Sequence, residues 1–271
     1  MLTLMGEPSA NDDVESWTGE WSVPAAKLLD AADLFGEVNE AIATYILSTP
    51  LRLIEEPRWA DPQTVDLFVV ALRMPPLRIA TRIGALLHNL RSALNAALGV
   101  IWRKGKRVDF PIAASNMQFV DWVRSCKPMP PRAVAEAIEP WQPYYHAQAD
   151  HPRNVGVAIL ARLNNHDKHQ GLTLTPWGLG GPNSSAELRT DHPELVLGLQ
   201  NHLKGGRMGR RTLAYTVRLV APQARPGFNL ELRGLQLALD DYFPVLELLS
   251  QTIDDVEVIL RALRAPTLSQ P

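Results

Sequence analysis

Apolar residues recur along this chain with two spacings, and the change from one to the other organises it. From Pro24 the run PAAKLLDAADLFGEVNEAIATYIL places Leu28, Leu29, Ala32, Leu34, Phe35, Val38, Ile42, Tyr45 and Ile46 at helical intervals. Ser48-Thr49-Pro50 marks its end. LRLIEE and TVDLFVVAL follow, rich in branched residues and separated by Pro and Asp, and they predict a hairpin. Leu77 to about Arg103 is the longest periodic segment. As a helix it spans about 40 Å at ~1.5 Å per residue, with Ile83, Leu87, Leu90, Leu94, Leu98 and Ile101 as its core stripe. VDFPI reads as a short extended piece, SNMQFVDWVRSC as a helix capped by Ser115 or Asn116, and PPRAVAEAIEPW as another helix opened by proline. QPYYHAQADHP reads as a loop. Asn154 is the expected cap of VGVAILARLNNHDKH, and Gly171 its stop.

Beyond Gly171 the pattern shortens to strands: LTLTPW, AELRT, LVLGLQ, RTLAYTVRLV and FNLELRGLQLAL. Asp240–Arg264 returns to helical spacing, with Leu246, Leu249, Ile253, Val256, Ile259 and Leu260 on one face. That face needs a partner. The pattern therefore predicts one mainly α-helical domain over residues 1–271 with a β-rich insertion at about 172–238. Residues 1–20 and 265–271 read as mobile ends.

Composition narrows the function classes. The 271 residues carry a formal net charge of −2, so no global pull toward nucleic acid exists, although HLKGGRMGRR is locally basic. The single cysteine, Cys126, rules out an intramolecular disulfide and a Cys-based zinc site, and fits a reducing compartment. The N-terminus lacks the features of a signal peptide, and Ile83–Trp102 holds His88, Asn89, Arg91, Ser92 and Asn95, too many polar groups for a lipid-exposed span. The expectation is a cytoplasmic protein that does not engage a membrane. No Walker loop, dinucleotide fingerprint, His-Glu-x-x-His or nucleophile elbow occurs, and no cofactor is expected.

Two helices place polar groups where core is expected. In LLHNLRSALNAAL, His88, Arg91, Ser92 and Asn95 form a polar edge beside the leucine stripe. In LARLNNHDKH, Leu160, Leu163 and Asp167 share a line. A carboxylate on an apolar face needs a partner, and the guanidinium of Arg91 or the ring of His88 is the expected one. On a neighbouring face Arg162, Asn165 or His166, and His169 line up. A histidine near neutral pKa can move a proton, and an arginine can hold a phosphate. His169 as general acid/base, Arg162 on the scissile phosphate and Asn165 orienting it suit metal-independent cleavage of RNA by its own 2′-OH. His88, Arg91, Asn164, Asp167 and Lys168 would form the supporting shell. His166 and His169, three apart, are a weak start for a metal site, and none is expected.

The ordered pieces LLHNLRSALNAAL, FPI, IEPWQPY and LNNHDKH resemble an uncharacterised family of bacterial and phage proteins, over roughly Pro75 to Gly171. The resemblance implies a mostly helical domain and carries no established activity. A looser similarity is to HEPN domains, helical bundles of toxins and defence ribonucleases marked by an Arg, a short spacer and a His. Arg162 and His169 match that spacing, and Leu163 departs from the polar residue expected after the Arg. This likeness implies an HEPN-like bundle with small β additions, RNA or a nucleotide as ligand, and a homodimer. The competing expectation is a non-catalytic binding or assembly protein, in which the same polar groups form a clasp between helices.

Overall fold

The computed structural model describes residues 12–48, 51–102, 109–147, 155–170, 172, 174–179, 185–203, 207–208, 211–233, 235–239 and 244–264. The expected caps Asn154 and Gly171 and the tail 265–271 lie outside them. The chain divides into two compact units. One holds Glu40–Ile79 and Thr173–Glu247; the other holds Thr3–Asn39, Ala80–Leu172 and Leu248–Pro271.

The first unit is a β structure. The predicted hairpin forms as β1 (Leu51–Arg58) and β2 (Asp61–Ala71), antiparallel, with Leu51 opposite Ala71. Strands β3 (Leu174–Leu179), β4 (Ser185–Thr190), β5 (Val196–Asn201), β6 (Arg207–Met208), β7 (Arg211–Leu219), β8 (Phe228–Arg233) and β9 (Leu235–Leu239) follow. They build a four-stranded sheet in the order β1-β2-β7-β5, a three-stranded sheet β6-β3-β9 and a pair β4-β8. The hairpin before the longest helix is thus sheet partner to strands from the far side of the chain, with Val65 opposite Val217 and Leu67 opposite Tyr215. Alternation decides which face is buried: Val65, Leu67 and Val69 on β2 and Tyr215, Val217 and Leu219 on β7 are all buried. Tyr215 donates its hydroxyl to the Ala186 carbonyl at 2.6 Å, tying the four-stranded sheet to β4.

These nine strands correct the mainly α-helical, HEPN-like expectation. Among the described residues the protein is an α+β mix whose antiparallel sheet is a structural unit in its own right.

Helices α1 (Asp12–Glu15), α2 (Ser22–Leu47), α3 (Leu77–Ile101), α4 (Asn116–Ser125), α5 (Arg132–Ile138), α6 (Pro143–Ala147), α7 (Val155–Gln170) and α8 (Val245–Arg264) supply the rest. The expected loop at Gln142–Pro152 contains the short helix α6. The α3 stripe is buried as its spacing predicts, except that Ile101 is only half-buried. On α8, Leu249, Ile253, Val256, Ile259 and Leu260 are buried, while Leu246 is half-buried. Within the expected mobile start, Val14 and Trp17 are buried; Trp17 meets Trp21 edge-on at 5.9 Å and lies under the Arg264 guanidinium at 4.6 Å. No described helix is long and apolar enough to cross a membrane.

Two glycines in the helical unit mark close approaches. A Cβ on Gly156 would stand 2.5 Å from Asp255 Oδ2 and 3.1 Å from the Thr252 backbone. The Gly156 N–H, in the first turn of α7, donates to Asp255 Oδ2 at 3.2 Å. A carboxylate from α8 thus caps the positive end of α7. Gly156→Ala should therefore destabilise the protein by about 1–3 kcal/mol, the usual cost of overpacking, read as a lower denaturation midpoint with an unchanged m-value.

Candidate functional site

The polar edge of α3 turns toward a backbone. Residues 109–115, between α3 and α4, belong to no helix and no sheet. Buried N–H and C=O groups in such a segment still require partners. The Arg91 guanidinium donates through Nη2 to the Phe110 carbonyl at 2.6 Å. Asn95 accepts from the Phe110 N–H at 2.8 Å and donates to Asp109 Oδ1 at 2.9 Å. Phe110 itself is fully buried.

Gln142 works from the other side. Its side chain is fully buried; Oε1 accepts from the Ala113 N–H at 2.9 Å and Nε2 donates to the Ile138 carbonyl at 3.3 Å. The Gln118 side chain accepts from the Ala114 N–H at 2.7 Å, and Ser115 caps α4 by accepting from the Gln118 N–H, as its position predicts. Tyr144 donates to Glu139 at 2.8 Å, and Asn116 donates to the Tyr144 hydroxyl at 3.4 Å. Burial and the Glu139 carboxylate push the Tyr144 phenol up to about 12, so it serves as a donor and not as an acid at neutral pH. The pieces LLHNLRSALNAAL, FPI and IEPWQPY therefore converge in space as one clasp.

Burial also lowers the Arg91 pKa, an effect the nearby Asp109 charge opposes. Its Nη1 is buried without a hydrogen-bond partner among the described residues, so one face of the fork is spent on the Phe110 carbonyl alone.

The expected pairing of Asp167 with Arg91 or His88 is not formed. Asp167 lies over Gly84, where a Cβ would fall 2.5 Å from its Oδ2. Gly84 is seven residues from Arg91, about 10 Å along the helix axis at ~1.5 Å per residue. The missing side chain at Gly84 makes room for a carboxylate that is only half-buried. His88 is exposed, with its ring 3.5 Å from the Ser92 hydroxyl. On α7, Asn164 is buried while Arg162 and Asn165 are exposed. The side chains of His166, Lys168 and His169 lie outside the described residues. The supporting residues are thus not one shell: Arg91 serves Phe110, Asp167 sits two turns away at Gly84, and His88 faces solvent.

A second polar cluster, in the β unit, escaped the sequence reading. Arg58 donates to both oxygens of Asp66, through Nε at 2.8 Å and Nη2 at 2.9 Å. Asp66 also accepts from the Thr216 hydroxyl at 2.8 Å, whose oxygen lies 2.9 Å from His202 Nε2. The Arg58 hydrogen bond is the main cause holding the Asp66 carboxyl below its ordinary range. Its only signal in sequence is a lone carboxylate inside the apolar run TVDLFVV; Arg58 comes from the other strand of the same hairpin, and Thr216 and His202 come from far along the chain. Of the basic stretch His202–Arg211, Arg211 pairs with Glu56 and stacks over Phe68 at 4.1 Å. The Cys126 thiol is buried, and burial raises its pKa, which leaves it unreactive. Among the described residues no group of three or more His, Cys, Asp or Glu could hold a metal.

No protein-family model, curated protein or solved structure matches this chain.

Gln142→Ala should cost about 1–3 kcal/mol, because it strands the buried Ala113 N–H. Asn95→Ala should cost less, since Asn95 and Asp109 reach solvent. Thermal unfolding of the two variants beside wild type checks both the magnitude and the order.

Proposed function

We propose that this chain is a non-catalytic assembly protein of a reducing, cytoplasmic compartment, whose polar motif is a helix clasp. The observation that carries this reading is the use of Arg91, Asn95 and Gln142: each is hydrogen-bonded to backbone of the 109–113 segment, and Gln142 also donates to the Ile138 carbonyl of α5. Side chains committed in this way specify structure and are unavailable for proton transfer.

The surface that suits assembly is the β5 edge of the four-stranded sheet, and the partner is a second copy. The other edge, β1, is guarded by Arg52, Glu55, Glu56 and Pro57, the devices that block strand addition. Strand β5 has neither charge nor proline, and Leu197 and Leu199 are exposed on it. Leu197 stands at a register shift, which leaves Gly198–Asn201 as the regular pairing edge. Antiparallel pairing of two copies sets the Asp191 and Glu194 end of one strand beside the His202 end of the other, so carboxylates meet an imidazole across the twofold axis.

A second reading, metal-independent RNA cleavage, draws support from Arg162 and Asn165, exposed one turn apart on α7. Incubating purified protein with several RNAs in EDTA separates the two. Assembly predicts no cleavage by wild type or by His169→Ala. Cleavage that survives EDTA and vanishes in a folded His169→Ala variant overturns it. Light scattering supplies the positive arm: wild type at twice the chain mass, and Leu199→Lys at the monomer mass.

A further inference from the structure

We propose that the end of the β unit formed by the C-terminal turn of α2 and the β2–α3 connection docks on an anionic lipid surface. Four large apolar side chains stand out there: Leu47 is 69% exposed, Leu72 57%, Met74 54% and Leu77 79%. The fold holds this region together. Tyr45, two residues before Leu47, donates its hydroxyl to the Arg73 carbonyl at 2.7 Å. Leu51 pairs with Ala71, which brings the start of β1 alongside the residues that precede Leu72. Pro75 and Pro76 fix the backbone between Met74 and Leu77, so the apolar side chains are presented on a stiffened loop.

Charge sets the kind of partner. Arg52, Arg73 and Arg78 are exposed, and none makes an ion pair among the described residues. Five arginines elsewhere are held by carboxylates: Arg58 by Asp66, Arg82 by Glu37, Arg132 by Glu136, Arg189 by Glu231 and Arg261 by Glu257. The stretches Tyr45–Ile54 and Leu67–Ile79 contain no Asp or Glu. Arg78 lies in the first turn of α3, where a cation opposes the helix dipole and that turn has no acidic residue. Local stability does not account for it; an external anion does.

Three arginines facing three arginines would repel, which disfavours a second copy at this patch. Exposures of 54–79% describe side chains that project, as insertion at the headgroup boundary requires, whereas a peptide groove would shelter them. The arginines would sit at headgroup level with the leucines and methionine below. This surface is independent of the β5 edge.

The test is flotation of the full chain with vesicles of equal parts phosphatidylcholine and phosphatidylglycerol, beside pure phosphatidylcholine. Wild type should float with the anionic vesicles only, and added salt should release it. Arg73→Gln with Arg78→Gln should weaken binding about fivefold for each arginine removed. Leu72→Ser with Leu77→Ser should weaken it with the charge unchanged. These positions are exposed, and circular dichroism verifies that the variants fold. Failure of wild type to float, or flotation indifferent to both double variants, overturns the proposal. Concentration-dependent association that Leu77→Ser abolishes, without flotation, assigns the patch to a second copy and overturns it too.

Discussion

A buried stretch of backbone that joins no sheet must find its hydrogen bonds elsewhere, and the helical unit is arranged around that need. Residues 109–113 lie outside any helix or sheet, so the backbone groups they bury need partners other than a regular ladder. Arg91 and Asn95 answer from α3; Gln142 answers from the turn after α5. Removing Gln142 would leave an unsatisfied buried group, a larger loss than the modest net gain of a typical hydrogen bond. This asymmetry explains why polar residues stand beside an otherwise leucine-lined helix face. In the same unit Phe119 stacks on Trp122, and Trp102 meets that ring edge-on.

Much of the secondary structure was legible because it is local. Helical spacing located α2, α3, α7 and α8, and branched residues around Pro and Asp located the β1–β2 hairpin. The sheet was not legible. Thr64–Val70 pairs with Arg211–Arg218, and no local pattern records a partner so distant in the chain. Strand β6, only two residues long, leaves no periodic trace. Long helical segments dominated the reading and suggested a bundle. The structure instead gives the strands a unit of their own, with a buried face supplied equally by β2 and β7.

The candidate site was legible in part, for a related reason. Helical spacing shows which residues share a face, so the polar edge at His88, Arg91, Ser92 and Asn95 stood out. It does not show at what height a neighbouring helix crosses. Asp167 and Arg91 were each read as needing a partner, and pairing them was reasonable chemistry at the wrong height: the carboxylate settles at Gly84, where no Cβ intrudes, and the guanidinium finds a carbonyl. Backbone acceptors are invisible to motif reading, because every residue has one. The Arg58–Asp66–Thr216–His202 cluster was hidden for the opposite reason: its members are recognisable, but three separate stretches of chain supply them.

The cap on α7 also bears on the order in which the chain acquires structure. Asp255 follows Gly156 by 99 residues, and the whole run of strands β3 to β9 lies between them. As the polypeptide leaves the ribosome, α7 emerges before the α8 carboxylate that receives its Gly156 N–H. Until synthesis reaches Asp255 that N–H is without this partner, and a lone helix draws little stability from its own propensity. The bond that joins two neighbouring helices in space is, in time, one of the last to form.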